Sequence, residues 1–387
     1  MLRMTMHRLK FVTLAATVTV ALLVFTCPDF SLAVIQGPCA ECHTMHNSQG
    51  NQPMTFDSAG TPNEYLLRGT CYGCHAMNEG SSIYNLGTDA IPQVLHTDTT
   101  HDLAGGNFTY ISPGRNNRGH NISDLTGADD VLTYPPGVLA DVHTLLYVFA
   151  PPLSCAGSSD LAVIGCHGYR KQNPAFFPDG ITGAHHSNVN GQLDQATEPG
   201  NSYRFLMGVK GYESPDWERT PGAGNHNEYY GLPAPITMGC SAQGCHLGND
   251  GTKPPDGTMS QFCATCHGNF HTLDNGTSGE EGIGSDAVSP FLRHPTDLSL
   301  PGDGEYQFYT TYNNQAPVAR TDASIGVPSG PDGTVYPGSD AVMCLSCHRA
   351  HASNYPDMLR WDYTTIIAGS GDDTGGCFVC HTTKDDA

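Results

Sequence analysis

Cys39-Ala40-Glu41-Cys42-His43-Thr44-Met45-His46 sets two thiols three residues apart, an imidazole directly after the second, and another imidazole three residues on. Thiols at that spacing fit along one edge of a flat macrocycle and add to its two vinyl groups. The next residue then lies over the ring and ligates its iron. Cys-x-x-Cys-His is the attachment signature of c-type haem. The same spacing recurs at Cys71/Cys74/His75, Cys263/Cys266/His267, Cys344/Cys347/His348 and Cys377/Cys380/His381. Two motifs are wider. Cys240 and Cys245, followed by His246, have four residues between them. Cys155 and Cys166, followed by His167, have ten.

The chain has 15 cysteines, and Cys27 is the one outside these pairs. Seven haems therefore consume every other thiol. A disulfide framework would suit an exported chain, but it leaves the histidine after each second cysteine unexplained. Structural zinc uses similar spacings, yet Cys2His units do not combine neatly into four-ligand sites. The wide pairs carry the weaker signal. Cys155 and Cys166 could be a disulfide, or Cys155 could join Cys240.

Of 19 histidines, seven follow a motif cysteine and His7 lies near the N-terminus. The other eleven exceed the seven second ligands that complete bis-histidine coordination would need. Two imidazoles fill both open faces of a haem iron, which then transfers electrons rather than binding substrate. The chosen second ligands are His46, His120, His185, His186, His271, His294 and His351, with His143 and His226 in reserve. His96 and His101, in a Thr/Asp-rich run, read as solvated. His46 and His351 sit three residues after a motif histidine and His271 four. Residues so spaced share one face of a helical turn. They cannot grip one iron from opposite sides, so each must reach a different haem, and neighbouring haems must be stacked.

Gly (45) and Pro (27) are abundant and hydrophobic residues make up only 38%. Such a chain buries little apolar surface by itself. The expected fold is mostly irregular coil with short α-helices after several motifs and a few short β-hairpins. It is an elongated multihaem cytochrome wrapped around a line of haems. Residues 145–149, 203–207 and 306–309 read as strands. A basic start, an uncharged apolar run over 11–25 and Ser31-Leu32-Ala33 predict a signal peptide, 1–33, and a single mature domain, 34–387. The apolar run is shorter than the roughly 20 residues of a spanning helix. Cys27 lacks the small preceding residue of a lipid-anchor site. The protein is expected to be secreted, at the cell surface or beyond it, after haem attachment in the periplasm. The formal net charge of −21 argues against nucleic acid as a partner.

The stretches Cys39-Ala-Glu-Cys-His-Thr-Met-His-Asn-Ser-Gln-Gly and Cys263-Ala-Thr-Cys-His-Gly-Asn-Phe-His resemble the polymerising extracellular multihaem cytochromes of metal-reducing bacteria, the cytochrome nanowires. The resemblance covers the haem motifs and their flanks. It implies a head-to-tail filament in which a histidine just after the first motif, here His46, ligates a haem of the neighbouring subunit. Seven haems and a ten-residue motif depart from that pattern. The expected activity is electron conduction to redox proteins or minerals. A monomeric shuttle is the first alternative. An oxyanion reductase is the second, although it would need an iron with an open position, and all seven motifs end in His.

Overall fold

The computed structural model describes residues 37–47, 54, 62, 66–76, 80–132, 134–137, 153–157, 164–167, 203–206, 209–233, 258–264, 266–267, 270, 294–322, 330–371 and 375–384. The expected signal peptide and the strand at 145–149 lie outside them. So do the attachment residues Cys240, Cys245 and His246 of the fourth motif, and the candidate ligands His143, His185, His186 and His271. The chain divides into two compact units, Met1–Val34 and Ile35–Ala387. All described residues belong to the second.

Coil dominates the described residues, as the Gly/Pro content requires. The α-helices among them are single turns or little more: α1 (Tyr72–His75), α2 (Met259–Ala264) and α3 (Cys344–Cys347). Two further motifs are wound as 3-10 turns, Cys39–Glu41 and Gly376–Val379. The helical turns thus coincide with the attachment motifs instead of following them. A turn of helix is what brings residues three apart onto one side.

The expected hairpin appears once, as β1 (Ile83–Leu86) against β2 (Asp89–Pro92). The short strands β3 (Leu153–Ser154) and β4 (Ile164–Gly165) pair in parallel across the ten-residue motif. The largest sheet is not built from hairpins. It is mixed, in the order β5 (Gly211–Tyr212), β6 (Glu228–Tyr230), β8 (Ala319–Arg320), β9 (Ala341–Val342), β7 (Leu298–Ser299). Two of the expected strands are helical turns instead, Tyr203–Phe205 and Gly304–Tyr306. Tyr203 and Tyr309 are buried, but in tertiary clusters and not by the alternation of a strand.

Apolar packing is divided among small clusters, each touching an attachment motif. Tyr203, Tyr229, Met343 and Leu345 surround α2 and α3. Tyr309, Tyr312 and Val342 pack against Val379 and Cys380. Phe108, Ile111, Ile122 and Ala352 pack against Cys155. Side chains alone do not make one core; they make shells around the motifs.

Candidate functional site

All five Cys-x-x-Cys-His motifs close in the same way. The histidine N–H donates to the carbonyl of the first cysteine: His43 to Cys39 at 2.8 Å, His75 to Cys71 at 3.0 Å, His267 to Cys263 at 3.0 Å, His348 to Cys344 at 3.1 Å and His381 to Cys377 at 3.0 Å. This i to i+4 bond holds both thiols and the imidazole on one turn. The ten-residue motif reproduces it. His167 N–H donates to Cys155 O at 2.9 Å, because the β3–β4 pairing carries the chain back past the inserted residues. Despite eight extra residues between the cysteines, the closing bond of the short motif is kept. The other wide motif, with Cys240 and Cys245 as its expected tethers and His246 as its expected ligand, falls outside the described residues.

The twelve cysteines of the six described motifs are free thiols, so Cys155 and Cys166 do not form a disulfide. Sulfurs of different motifs hydrogen-bond or lie near one another. Burial, then a hydrogen bond with Cys42, pushes the Cys74 thiol up to about 12. Cys155 is raised by its hydrogen bond with Cys71 and by burial, and Cys263 by its hydrogen bond with Cys344 and by burial. Cys166 reaches about 12 through burial and the proximity of Cys266. Cys380 does so through burial and the proximity of Cys347 and Cys377. Among the described residues the motifs therefore neighbour one another in the order Cys39/Cys42, Cys71/Cys74, Cys155/Cys166, Cys263/Cys266, Cys344/Cys347, Cys377/Cys380. Burial keeps the Cys74, Cys166 and Cys380 sulfurs uncharged, as thioether sulfurs are.

The imidazoles are aimed by their Nδ1 atoms. His75 donates from Nδ1 to Pro92 O (2.9 Å), His167 to Arg204 O (2.8 Å), His267 to Pro136 O (2.7 Å) and His348 to Asp357 O (2.7 Å). His381 donates to Glu305 Oε1 at 2.9 Å. Among the expected second ligands, His120 donates to Ala350 O (2.7 Å) and His294 to Pro295 O (3.0 Å). A carbonyl accepting from Nδ1 fixes the tautomer, leaves the Nε2 lone pair for a metal and raises its basicity. Burial lowers His75, His120 and His167 below the ordinary imidazole range and His351 to about 3. The ligand-competent neutral form is therefore the stable one.

Rings of expected first and second ligands face each other at one recurring distance. Centroids are 6.1 Å apart for His167 and His351, 6.0 Å for His120 and His267, and 6.3 Å for His294 and His381. Two imidazoles on opposite sides of one metal, each bonded at about 2 Å, have centroids about 6 Å apart. Among the described residues no three His, Cys, Asp or Glu side chains converge as a metal cluster. Pairs are what a haem iron needs, since the macrocycle supplies its other four nitrogens. His351 needs space to enter its pair. A Cβ on Gly105 would come within 2.7 Å of His351 Nδ1, and Gly106, at φ +88°, would drive a Cβ into Ala352 O. His46 is exposed and holds φ +54°, a conformation uncommon outside glycine.

Two histidines behave differently. His96 is not solvated, contrary to the reading of its polar neighbourhood: it is 1% exposed. Asn107 accepts the backbone N–H of His96 through Oδ1 and donates to its Nδ1 at 3.2 Å. That ring nitrogen is an acceptor, so the proton resides on Nε2, the reverse of the motif histidines. His226, a reserve ligand, is fully buried. It stacks on Tyr312 at 3.5 Å and hydrogen-bonds Glu228 Oε1 through Nε2 at 3.1 Å. Glu228 also takes Arg320 Nε at 2.9 Å, and Arg320 reaches Asp340, Thr334 O and Asp332 O. Sequence reading missed this network. Its trace was a charge in each of two apolar strands, Glu228-Tyr-Tyr and Val318-Ala-Arg320. His101, exposed and bonded to Asp98 at 2.9 Å, is solvated as expected.

Residues 337–386 match the doubled CXXCH motif family. The C-type cytochrome OmcS of Geobacter sulfurreducens is 27% identical over 398 residues, covering 87% of this chain and 82% of that protein. The chain is similar to a c-type cytochrome and carries a doubled attachment motif over 337–386. Two solved structures are similar to this chain at 21% identity. The outer membrane cytochrome S filament of the same organism covers 86% of this chain and 84% of its own, with a TM-score of 0.39. The OmcS nanowires cover 86% and 85%, with a TM-score of 0.42. Among its described residues the chain has no helix long and apolar enough to cross a membrane.

Proposed function

We propose that this cytochrome conducts electrons outside the cell, as a filament subunit carrying seven covalent haems with bis-histidine irons. When bound, each haem supplies a one-electron ferric/ferrous couple. The protein's part is to hold and insulate. Cysteine pairs tether one edge of each macrocycle. The facing pairs His167/His351, His267/His120 and His381/His294 would close both axial positions and leave no site for substrate. Carbonyls on Nδ1 lock the rings in orientation.

The observation that carries this reading is the bond from His167 to Cys155. It gives the weakest motif the geometry of the strongest. The fourth motif completes the set on sequence alone: Cys240 and Cys245 would be its tethers and His246 its first ligand. The assembly reading comes from the relative, since OmcS forms filaments, and from His46. That histidine is exposed, in a strained backbone conformation and three residues beyond the first motif, where it can serve the haem of a neighbouring subunit. Export after cleavage near residue 33 and haem attachment in the periplasm fit the cysteine chemistry.

Intact-mass measurement of the exported protein tests the count: seven haems on fourteen thioether bonds, two for each motif. A mass fitting six or fewer removes a wide motif from the set. Negative-stain microscopy of the same material separates filament from monomeric shuttle. His46→Ala should leave monomers with all haems attached. If that variant still forms filaments with every iron six-coordinate, His46 is an internal ligand.

A further inference from the structure

The seventh motif differs from the second, third, fifth and sixth in what its histidine touches. His75, His167, His267 and His348 each give the Nδ1 proton to a backbone carbonyl. His381 gives its Nδ1 proton to a carboxylate oxygen, Glu305 Oε1, at 2.9 Å. His294, which faces His381 at 6.3 Å, returns to the carbonyl pattern with Pro295 O at 3.0 Å. One ring of this pair thus leans on a charge and the other on a dipole. The placement of Glu305 is built into the fold. It lies in the 3-10 turn Gly304–Tyr306. Its carbonyl accepts both the backbone N–H of Thr382, at 2.9 Å, and the Thr382 hydroxyl. Thr382 directly follows His381, so the two backbones are clamped beside the ligand. The Tyr306 ring adds a contact, its centroid 5.0 Å from that of His381. The Glu305 side chain is only 18% exposed, which weakens screening by solvent ions. Lys384 Nζ lies 3.3 Å from Oε2 and favours the ionised carboxylate.

We infer that Glu305 sets the potential of the seventh haem, holding it below that of a haem whose axial histidines both rest on carbonyls. The inference rests on the haem attachment proposed above and goes beyond it by assigning a residue outside every attachment motif. Glu305 is a positioning residue that acts through His381. A carboxylate on Nδ1 makes the ring a more basic, more anionic ligand, because a charge-assisted hydrogen bond is about twice as strong as a neutral one. Such a ligand favours the ferric iron, which carries one more positive charge than the ferrous. Reduction of this haem adds one electron, taken from a ferrous neighbour that becomes ferric. The Nδ1 proton stays on His381 and both imidazoles stay bound, so no bond breaks. At a given potential the seventh haem is then about tenfold less often ferrous than a carbonyl-bonded one. That bias favours passage of its electron toward the sixth motif, whose Cys347 lies near Cys380.

The test is Glu305→Gln in the full-length exported protein, which keeps an oxygen acceptor at the same reach and removes the charge. Intact mass should show the parent's haem count. A redox titration should show one one-electron component raised by about 59 mV, a tenfold change in its ferric/ferrous ratio, with the others within about twofold of the parent. The ferric paramagnetic-resonance signal of one low-spin haem should shift with it. A merely structural role predicts weaker folding with every component in place, so a Gln variant in which no component moves by about threefold overturns the inference. A shift spread evenly over all the haems overturns it too. Lys384→Met is the second arm and serves if the first variant is not exported, since the Lys384 side chain is 59% exposed. Freed of its cation, the carboxylate should lower the same component by about twofold or more; an unchanged or raised value overturns the assignment. Haem absent from Cys377 and Cys380 in a peptide map of the parent is a separate outcome, since it removes the attachment reading and this inference with it.

Discussion

His226 is fully buried and His351 partly so, and they belong to different kinds of region. The strand-like segments around His120 and His351 hold imidazoles whose ring centroids lie about 6 Å from other imidazoles, about the spacing of two ligands on one metal. The central sheet around β6 and β8 holds an imidazole whose Nε2 meets a carboxylate and whose face meets a tyrosine. Both rings are enclosed to a degree; what each ring meets is different. A histidine's role here is read from which nitrogen the protein occupies.

The largest difference between the regions should appear at Arg320. It is enclosed between Glu228 and Asp340, and removing one partner of such a group strands the others in low dielectric. Arg320→Met is expected to cost about 3–5 kcal/mol, read by thermal or denaturant unfolding, while the proportion of low-spin haem in the folded fraction stays unchanged. A loss under about 1 kcal/mol would mean that water reaches this network.

A paired substitution sharpens the contrast. His351→Ala should convert one haem to the high-spin form, visible by magnetic circular dichroism or paramagnetic resonance. His226→Ala should convert none and instead cost about 1–3 kcal/mol, because Glu228 loses a buried hydrogen-bond partner. A high-spin signal from His226→Ala would move that residue into the ligand set. A wholly low-spin His351→Ala would break the His167–His351 pair.

The smallest expected effect is a pH slope confined to the sheet. Burial pushes the Asp340 carboxyl up to about 6, against an ordinary value of about 3.9. A folded value above the unfolded one means that folding takes up a proton. The contribution of this residue is thus full below about pH 4 and is lost as pH rises through about 6. Asp340→Asn should flatten stability across that window in denaturant titrations at several pH values. An unchanged slope would assign it to other groups.

The sequence by itself determined the cofactor class, six of the attachment turns now seen as local geometry, and the coil-rich fold. Each depends on residues near one another in the chain. Two thiols and an imidazole on one helical turn need no distant partner. Gly and Pro in such numbers set a limit on regular structure wherever they fall. His120, His294 and His351 could be named as candidate ligands from surplus and spacing, but not which imidazole each would face. His96 was misread because its polar neighbours in sequence say nothing of Asn107 folding over it. Residues 203–207 and 306–309 looked like strands because aromatic runs favour them, and tertiary packing of Tyr203 and Tyr309 made turns instead. The order of the motifs, with the third beside the fifth, was decided by the tertiary structure alone. It arises where His120 and His351, 231 positions apart in the chain, exchange a backbone hydrogen bond, and no local spacing encodes a contact of that reach.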